Sequence, residues 1–441
     1  MYRHKKERSI PMKKLIALFL ALLMVLTVSA AFADDNPYAV TEPITIEWWH
    51  SNEDQYTDFI QELAAQFHEE YPLITVEPVY IGSGTVLAEK LIAAIQGDAV
   101  PAVSQVNVSY LAEYFDSGVC TDLEPYFKAY GIDKDDFVKG YRKTATRESD
   151  GHMYSLPFLA STQVIYYNKT VVKDEGLTIP TKWEDMDAFM KAATKFNDDG
   201  TTARWAFVFG GWGTNYFETL FTNYGVEVIK EDGTCGLADP ISIEITNQIK
   251  GWCDAGYAYW AYGSGSSGNM RQHFWDGEAV CVTHTCSLIT TYRDKIAGAF
   301  EFDIAGFPAA PTGLAYTLLS GNHLVIPKKA SQAQKNAGFV FANWVTSGEG
   351  SLRWAEVSGY MPGRYSAMQG EAYEALIEKT PAYEGLFANV DNIQPQDART
   401  YYASCTNEWM KSLALIFCEG APVEETLQDC ANTVNEILED L

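Results

Sequence analysis

Three short segments hold the residues whose types could bind a small polar molecule. Gly82-Ser83-Gly84 lies where a strand turns into a helix, and backbone N–H groups exposed at such a turn bind anions or hydroxyl oxygens. It has no P-loop lysine, so a plain glycine turn is the simpler reading and a hydrogen bond to a sugar hydroxyl, with Ser83 beside it, the functional one. Gly210-Gly211-Trp212-Gly213 sets a large ring on a loop after a strand, and Trp48, Trp49 and His50 close another strand. The chain has 11 Trp and 26 Tyr, rings that can stack on sugar faces while amides and hydroxyls meet the polar edge. Most such rings are core residues; Trp212 is the exception, because its glycine neighbours place it on an exposed loop.

Covalent and metal chemistry have less to stand on. With 58 carboxylates in the chain, some pair falls at glycosidase spacing by chance, which supports a hydrolase only weakly. No G-x-S-x-G elbow is present, no His pair forms H-E-x-x-H or H-x-H, and none of the eight cysteines makes a C-x-x-C pair. Neither a catalytic residue, a metal nor a cofactor is expected.

The elements that position these segments follow from periodicity. Ile44 to Trp48 reads as a buried strand, and Ser51-x-x-Asp54 as a capping box before a helix. In that helix Tyr56, Phe59, Ile60, Leu63, Ala64 and Phe67 form one apolar stripe. Ile74 to Tyr80 is a second strand, and a helix carrying Leu87 and Leu91 follows the glycine turn. Ala102 to Val106 is a third strand whose end holds Gln105. This β-α-β-α-β run implies a parallel sheet. Strands near Val164–Tyr167, Trp205–Phe209 and Ala279–Thr283 imply a second α/β lobe. Thr181-x-x-Glu184 reads as the cap of a helix burying Phe189, Met190, Ala193 and Phe196, and from Ser331 the chain is mainly helical with Phe339, Phe341, Trp344 and Trp354 as core.

The amino end is basic, then apolar from Leu15 to Val28, then Ala31-Phe32-Ala33. That pattern predicts an exported chain whose signal peptide covers 1–33 and whose mature form begins at Asp34; the apolar run is short for a membrane span. No cysteine near residue 33 offers a lipid anchor, so a periplasmic or extracellular location is expected. The whole chain carries a net charge of −26; the removed segment holds six basic side chains and one acidic, so the remaining 408 residues stand at −31. Nucleic acid and anionic membrane surfaces are poor partners for such a charge. A chain of this length exceeds one compact core. The even cysteine count permits disulfides, and small buried hydrophobes are an equally good explanation.

The segments also carry a likeness. ITIEWWHS (44–51), VEPVYIGSG (76–84), DGHMYSLPFLASTQVIYYNKTVV (150–172), FWDGEAVCVT (274–283), SGYMPGR (358–364) and GAPVEETL (420–427) are among nine stretches that, in order, resemble the family 1 extracellular solute-binding proteins of ABC transporters. The resemblance implies an α/β, two-lobe periplasmic-binding-protein-like fold of type II, with the ligand cleft between lobes joined by crossover strands. It implies that 43–160 plus 286–325 form lobe one and 161–285 plus 326–441 lobe two. Within the family the chain is most similar to the glycerol-3-phosphate and sugar receptors: Ser161, Gly321 and Tyr360 match contact positions, Thr285 stands close to a contacting serine, and Arg399 is the candidate for a phosphate-side arginine. The pattern departs at Gly84, where a tyrosine stands in that branch, and at Val108, where a glutamate does. With Trp49, His50, Ser83, Gln105 and Trp212, these residues make up the expected ligand site. The implied function is capture of a mono- or oligosaccharide for an ABC permease by a monomer; the alternatives are a polyol phosphate such as glycerol 3-phosphate and, further off, a secreted glycoside-active enzyme.

Overall fold

Partly alternating burial along two strands and continuous burial of a third build the first sheet. β1 (Ile44–His50) and β2 (Ile74–Tyr80) run parallel with Ile44 opposite Ile74 and His50 opposite Tyr80, and β3 (Val103–Asn107) lies parallel along the other side of β1. The computed structural model that shows this describes residues 36–52, 54–209, 215–263, 265–395 and 402–439, so the expected cleavage point, Trp212 and Arg399 lie outside the described residues.

The helix α1 (Thr57–Glu70) connects β1 to β2 and buries Ile60, Leu63, Ala64 and Phe67; each larger side chain contributes roughly 1.5–3 kcal/mol. The expected capping box at Ser51 does not form. A 3-10 turn, Asp54–Tyr56, precedes α1, and the Ser51 hydroxyl accepts a hydrogen bond from the Gln105 side chain instead. α2 (Gly84–Gln96) is capped by Ser83, whose Oγ accepts from the Val86 N–H.

The chain then enters β4 (Ser155–Asn168), fourteen residues buried almost without interruption. Its first half pairs antiparallel with β9 (Thr317–Val325), and β9 continues on to β3. Its second half pairs antiparallel with β7 (Ala279–Thr285) and β8 (Phe302–Ala305). β7 lies parallel to β5 (Thr202–Phe209), which also pairs with β6 (Ala258–Trp260). One continuous strand therefore links both sets of strands, and it is buried on both faces.

Around the first sheet, Trp48, Phe67, Phe158 and Leu324 pack together with Phe339, Phe341 and Trp354. Around the second, Met190, Phe207, Phe221, Trp409 and Ile249 of the helix α4 (Pro240–Asp254) form another core. A third cluster, with Tyr141, Val164, Tyr166, Val282 and Tyr292, straddles β4. α6 (Gln332–Thr346) packs on the first sheet, while α7 (Gly348–Val357) divides, with Trp354 in the first core and Leu352 and Ala355 in the third cluster beside Ile289, Tyr292 and Ile304. Periodicity fixes which face of a helix is apolar, but not which of two apolar sheets covers it.

Three further expectations are corrected locally. Thr181 caps no helix: a 3-10 turn, Trp183–Asp185, leads into α3 (Met186–Ala193), while the Thr181 carbonyl accepts from the Ala309 N–H. Phe196 is exposed, because α3 stops three residues earlier and Phe196 falls on a short edge strand. Trp344 is only half-buried; its indole N–H reaches Glu70. No disulfide joins any of the eight cysteines, six of which are buried.

Candidate functional site

In open α/β sheets ligands sit outside the carboxyl ends of the parallel strands. At that edge of the first sheet, β1 delivers His50, Ser51 and Asn52, β2 delivers the Gly82–Gly84 turn, and β3 delivers Gln105 and Asn107. The Ser51 N–H donates to Gln105 Oε1 at 3.5 Å, and Gln105 Nε2 donates to Ser51 Oγ at 3.3 Å. This reciprocal pair ties the ends of β1 and β3 together. His50 is buried, and its Nδ1 accepts the Asn52 N–H at 3.3 Å; burial lowers its pKa to about 4, so the ring is neutral at physiological pH. Asn107 caps the next turn by accepting from the N–H and Oγ of Ser109.

The second group converges on the middle of β4. Ser161 is opposite Ser320 and Ala160 opposite Gly321 across the β4–β9 pair, at a register shift between Gly321 and Asn322. Bulges of this kind re-aim backbone groups beside binding sites. Thr285 is opposite Gln163 at the end of β7, where the Tyr166 hydroxyl donates to the Thr285 carbonyl at 2.9 Å and Thr285 Oγ1 lies 3.0 Å from Ser287 Oγ. Tyr166 is held by a stacked Tyr292 ring 4.0 Å away. Tyr360 arrives from the other side: the Met361 N–H donates to the Ala160 carbonyl at 2.8 Å. Gly359, at φ +127°, lies so close that a Cβ would stand 2.6 Å from the Cys286 carbonyl oxygen.

Ser161, Thr285, Gly321 and Tyr360, spread over about 200 residues of the chain, thus lie on segments that pairing brings together at β4, with the Tyr360 ring packed against the first core. Asn322 is opposite Asn107 across β9 and β3, which continues that cluster to the first sheet's edge. Trp49 does not join them. Successive strand residues point to opposite faces, so Trp48 and His50 share one face while Trp49 takes the other, donating to Glu47 at 2.7 Å with the Lys90 ammonium over its ring. Ser83 is exposed at the turn.

Two neighbours escaped the sequence reading. Asn52 is buried with its Nδ2 unpartnered among the described residues, and Ser287 sits against Thr285. Both follow directly on residues singled out in the sequence, and the polar runs His50-Ser51-Asn52 and Thr285-Cys286-Ser287 at strand ends were the available signal.

The Gln105 pair yields a prediction. Gln105→Ala leaves the Ser51 N–H and hydroxyl without their partner, which costs about 1–3 kcal/mol, and unties the ends of β1 and β3. Urea denaturation should show that loss together with weakened ligand binding; wild-type stability would mean that water replaces the amide without penalty.

A cavity of 1130 Å³ lies elsewhere, on the flank of the first sheet beneath Leu111, Phe115 and Phe127. Its basic and acidic lining residues are close to balanced, and several pair with each other, as in Lys134 with Glu124 and Arg142 with Asp135. It meets the strand-end cluster only at Val108, directly after β3. Volume alone is a weaker guide here than the convergence of polar groups.

Known proteins share this architecture. The glycerophosphocholine complex of UgpB from Mycobacterium tuberculosis superposes with a TM-score of 0.74 at 22% identity, covering 91% of this chain and 99% of that one. The sugar-binding protein MalE from Xanthomonas citri gives 0.76 at 19% identity, covering 90% and 98%. In sequence, the sn-glycerol-3-phosphate-binding periplasmic protein UgpB of Pectobacterium atrosepticum is 24% identical over 350 residues, 76% of this chain and 77% of the relative. The two-lobe fold of the periplasmic binding proteins is thereby shown. The model of the bacterial extracellular solute-binding protein family matches residues 62–423, and the chain belongs to that family.

Proposed function

We propose that this solute-binding protein captures a neutral carbohydrate between its lobes and presents it to the permease of an ABC importer. The observation that carries the reading is the character of the groups that converge. Ser51, Asn52, Gln105, Ser161, Thr285, Ser287 and Tyr360 offer hydroxyls and amides, and His50 is held neutral by burial. Such a set matches the alternating donors and acceptors of a polyol and supplies no full charge of its own. A ligand closes the lobes only by binding the closed form better than the open one, so the strand-end group and the crossover group must both touch it.

In this reading β4 and β9 are the crossing strands, and α6 belongs with the first lobe, on whose sheet it packs. The protein is exported, acts as a monomer and carries out no chemistry on its ligand. A second reading has a specific support: the relatives named for glycerol 3-phosphate, together with the amino end of α2 at Gly84, whose N–H groups suit an anion.

A thermal-shift screen separates the two. Neutral sugars should raise the melting temperature, because a ligand that binds only the folded state stabilises it in proportion to RT ln(1 + [L]/Kd). A shift produced by glycerol 3-phosphate and by no sugar would establish the second reading.

A further inference from the structure

We propose that Tyr262, stacked on Trp260, is a ring-binding platform on the lip of the second lobe that takes a further sugar residue of an oligosaccharide; this rests on the carbohydrate reading above. β6 ends at Trp260 beside the end of β5, and the Ala261 N–H donates to the Phe209 carbonyl at 3.0 Å. Tyr262 therefore leaves the sheet at its carboxyl edge, the edge that also carries Thr285 on the parallel strand β7, on the far side of β5. Gly263 and Gly265, at φ +87° and +79°, then turn the chain into α5 (Ser266–Trp275).

The two rings lie 5.4 Å apart at 20°, and Trp260 is fixed from beneath by Phe417 at 4.9 Å. Trp260 is 6% exposed and belongs to the second core, whereas Tyr262 is 46% exposed. A tyrosine held flat on a buried indole presents a pre-oriented face at little cost in side-chain entropy, the property that makes tyrosine effective at binding surfaces. The indole Nε1 of Trp260 has no hydrogen-bond partner among the described residues, an unusual state for a buried donor.

An isolated exposed tyrosine needs no explanation, and position decides here. Of the exposed aromatic side chains among the described residues, Tyr71 follows a helix and Phe196 sits on an edge strand, while Tyr80 and Tyr262 stand at carboxyl ends of parallel strands, one in each sheet. Tyr80, with its ring 6.0 Å from His50, is the counterpart on the first lobe. A site with a ring on each lip suits a ligand longer than one sugar.

The test is calorimetric titration of wild type, Tyr262→Ala and Tyr262→Phe with glucose and maltotetraose and with mannose and mannotriose. Tyr262→Ala should weaken the longer sugar of the series that binds about tenfold or more, the scale of losing one large apolar contact, while the monosaccharide changes less than twofold and Tyr262→Phe stays near wild type. Equal effects on both lengths, or none on either, would remove the platform and leave the carbohydrate reading intact. A wild type that binds none of the four sugars would remove both.

Discussion

Gly321→Ala is expected to lose about 3 kcal/mol or more of folding stability and most of the protein's ligand affinity. Gly321 has φ +112°, a region that L side chains avoid, and a Cβ there would stand 2.2 Å from the Leu159 carbonyl oxygen and 3.1 Å from the Ser161 nitrogen. The obstruction is backbone on the paired strand, so no side chain can swing aside. Backbone strain of this kind costs about 1–3 kcal/mol and overpacking a similar amount again. The relief available is to part β9 from β4 at the register shift, which moves Ser161 and the segment that carries Tyr360. Gly321 is thus a site residue through its lack of a side chain. Urea denaturation and ligand titration check this together; a variant with the wild-type midpoint and wild-type affinity would contradict the packing described for the crossover.

Acidification from pH 6.5 to 4 is expected to remove at least about 5 kcal/mol of stability. Burial lowers the pKa of His50 to about 4, of His284 to about 3 and of His323 to about 3, against an ordinary value of 6.5; Arg271 beside His284 adds to the effect. In the unfolded chain each imidazole takes up its proton near pH 6.5, and in the folded chain only near 4 or below. Between those values the unfolded state binds more protons, so stability falls as pH falls, and it is retained in full above about pH 7. Thermal melts at half-unit steps would show a decline that begins above the carboxylate range. His323, whose Nδ1 lies 2.9 Å from Ser155 Oγ on the paired strand, gives the control: His323→Gln should flatten the slope by up to about 1.4 kcal/mol per pH unit. Constant stability from pH 7 to pH 5 would mean that these rings are wetter than their packing indicates.

Much of the frame was legible where a local pattern decides it. The buried run Ile44 to Trp48, the alternation along Ile74–Tyr80 and the three-and-four spacing of Ile60, Leu63 and Phe67 identified elements that the structure contains. Where a side chain has a distant partner, local rules failed: Ser51 reads as a helix cap and is occupied by Gln105, 54 residues on. The lobe to which α6 belongs was not encoded in its own periodicity, because either sheet could cover Phe339 and Phe341. For the candidate site, the resemblance supplied Ser161, Thr285, Gly321 and Tyr360, which pairing across β4 brings to one place. Trp49 was selected as a ring at a strand end, and strand alternation places it on the face opposite Trp48 and His50, donating to Glu47.

The central claim is that the cleft holds a neutral sugar. Calorimetric titration with the sugar that gives the largest thermal shift, followed by glycerol 3-phosphate added to the loaded protein, at low and at high salt, tests it most directly. The account predicts saturable sugar binding with an affinity nearly independent of salt, since neither partner contributes a net charge to the contact, and no displacement by the phosphate. Micromolar or tighter binding of glycerol 3-phosphate that weakens with salt, with no sugar able to compete, would contradict it.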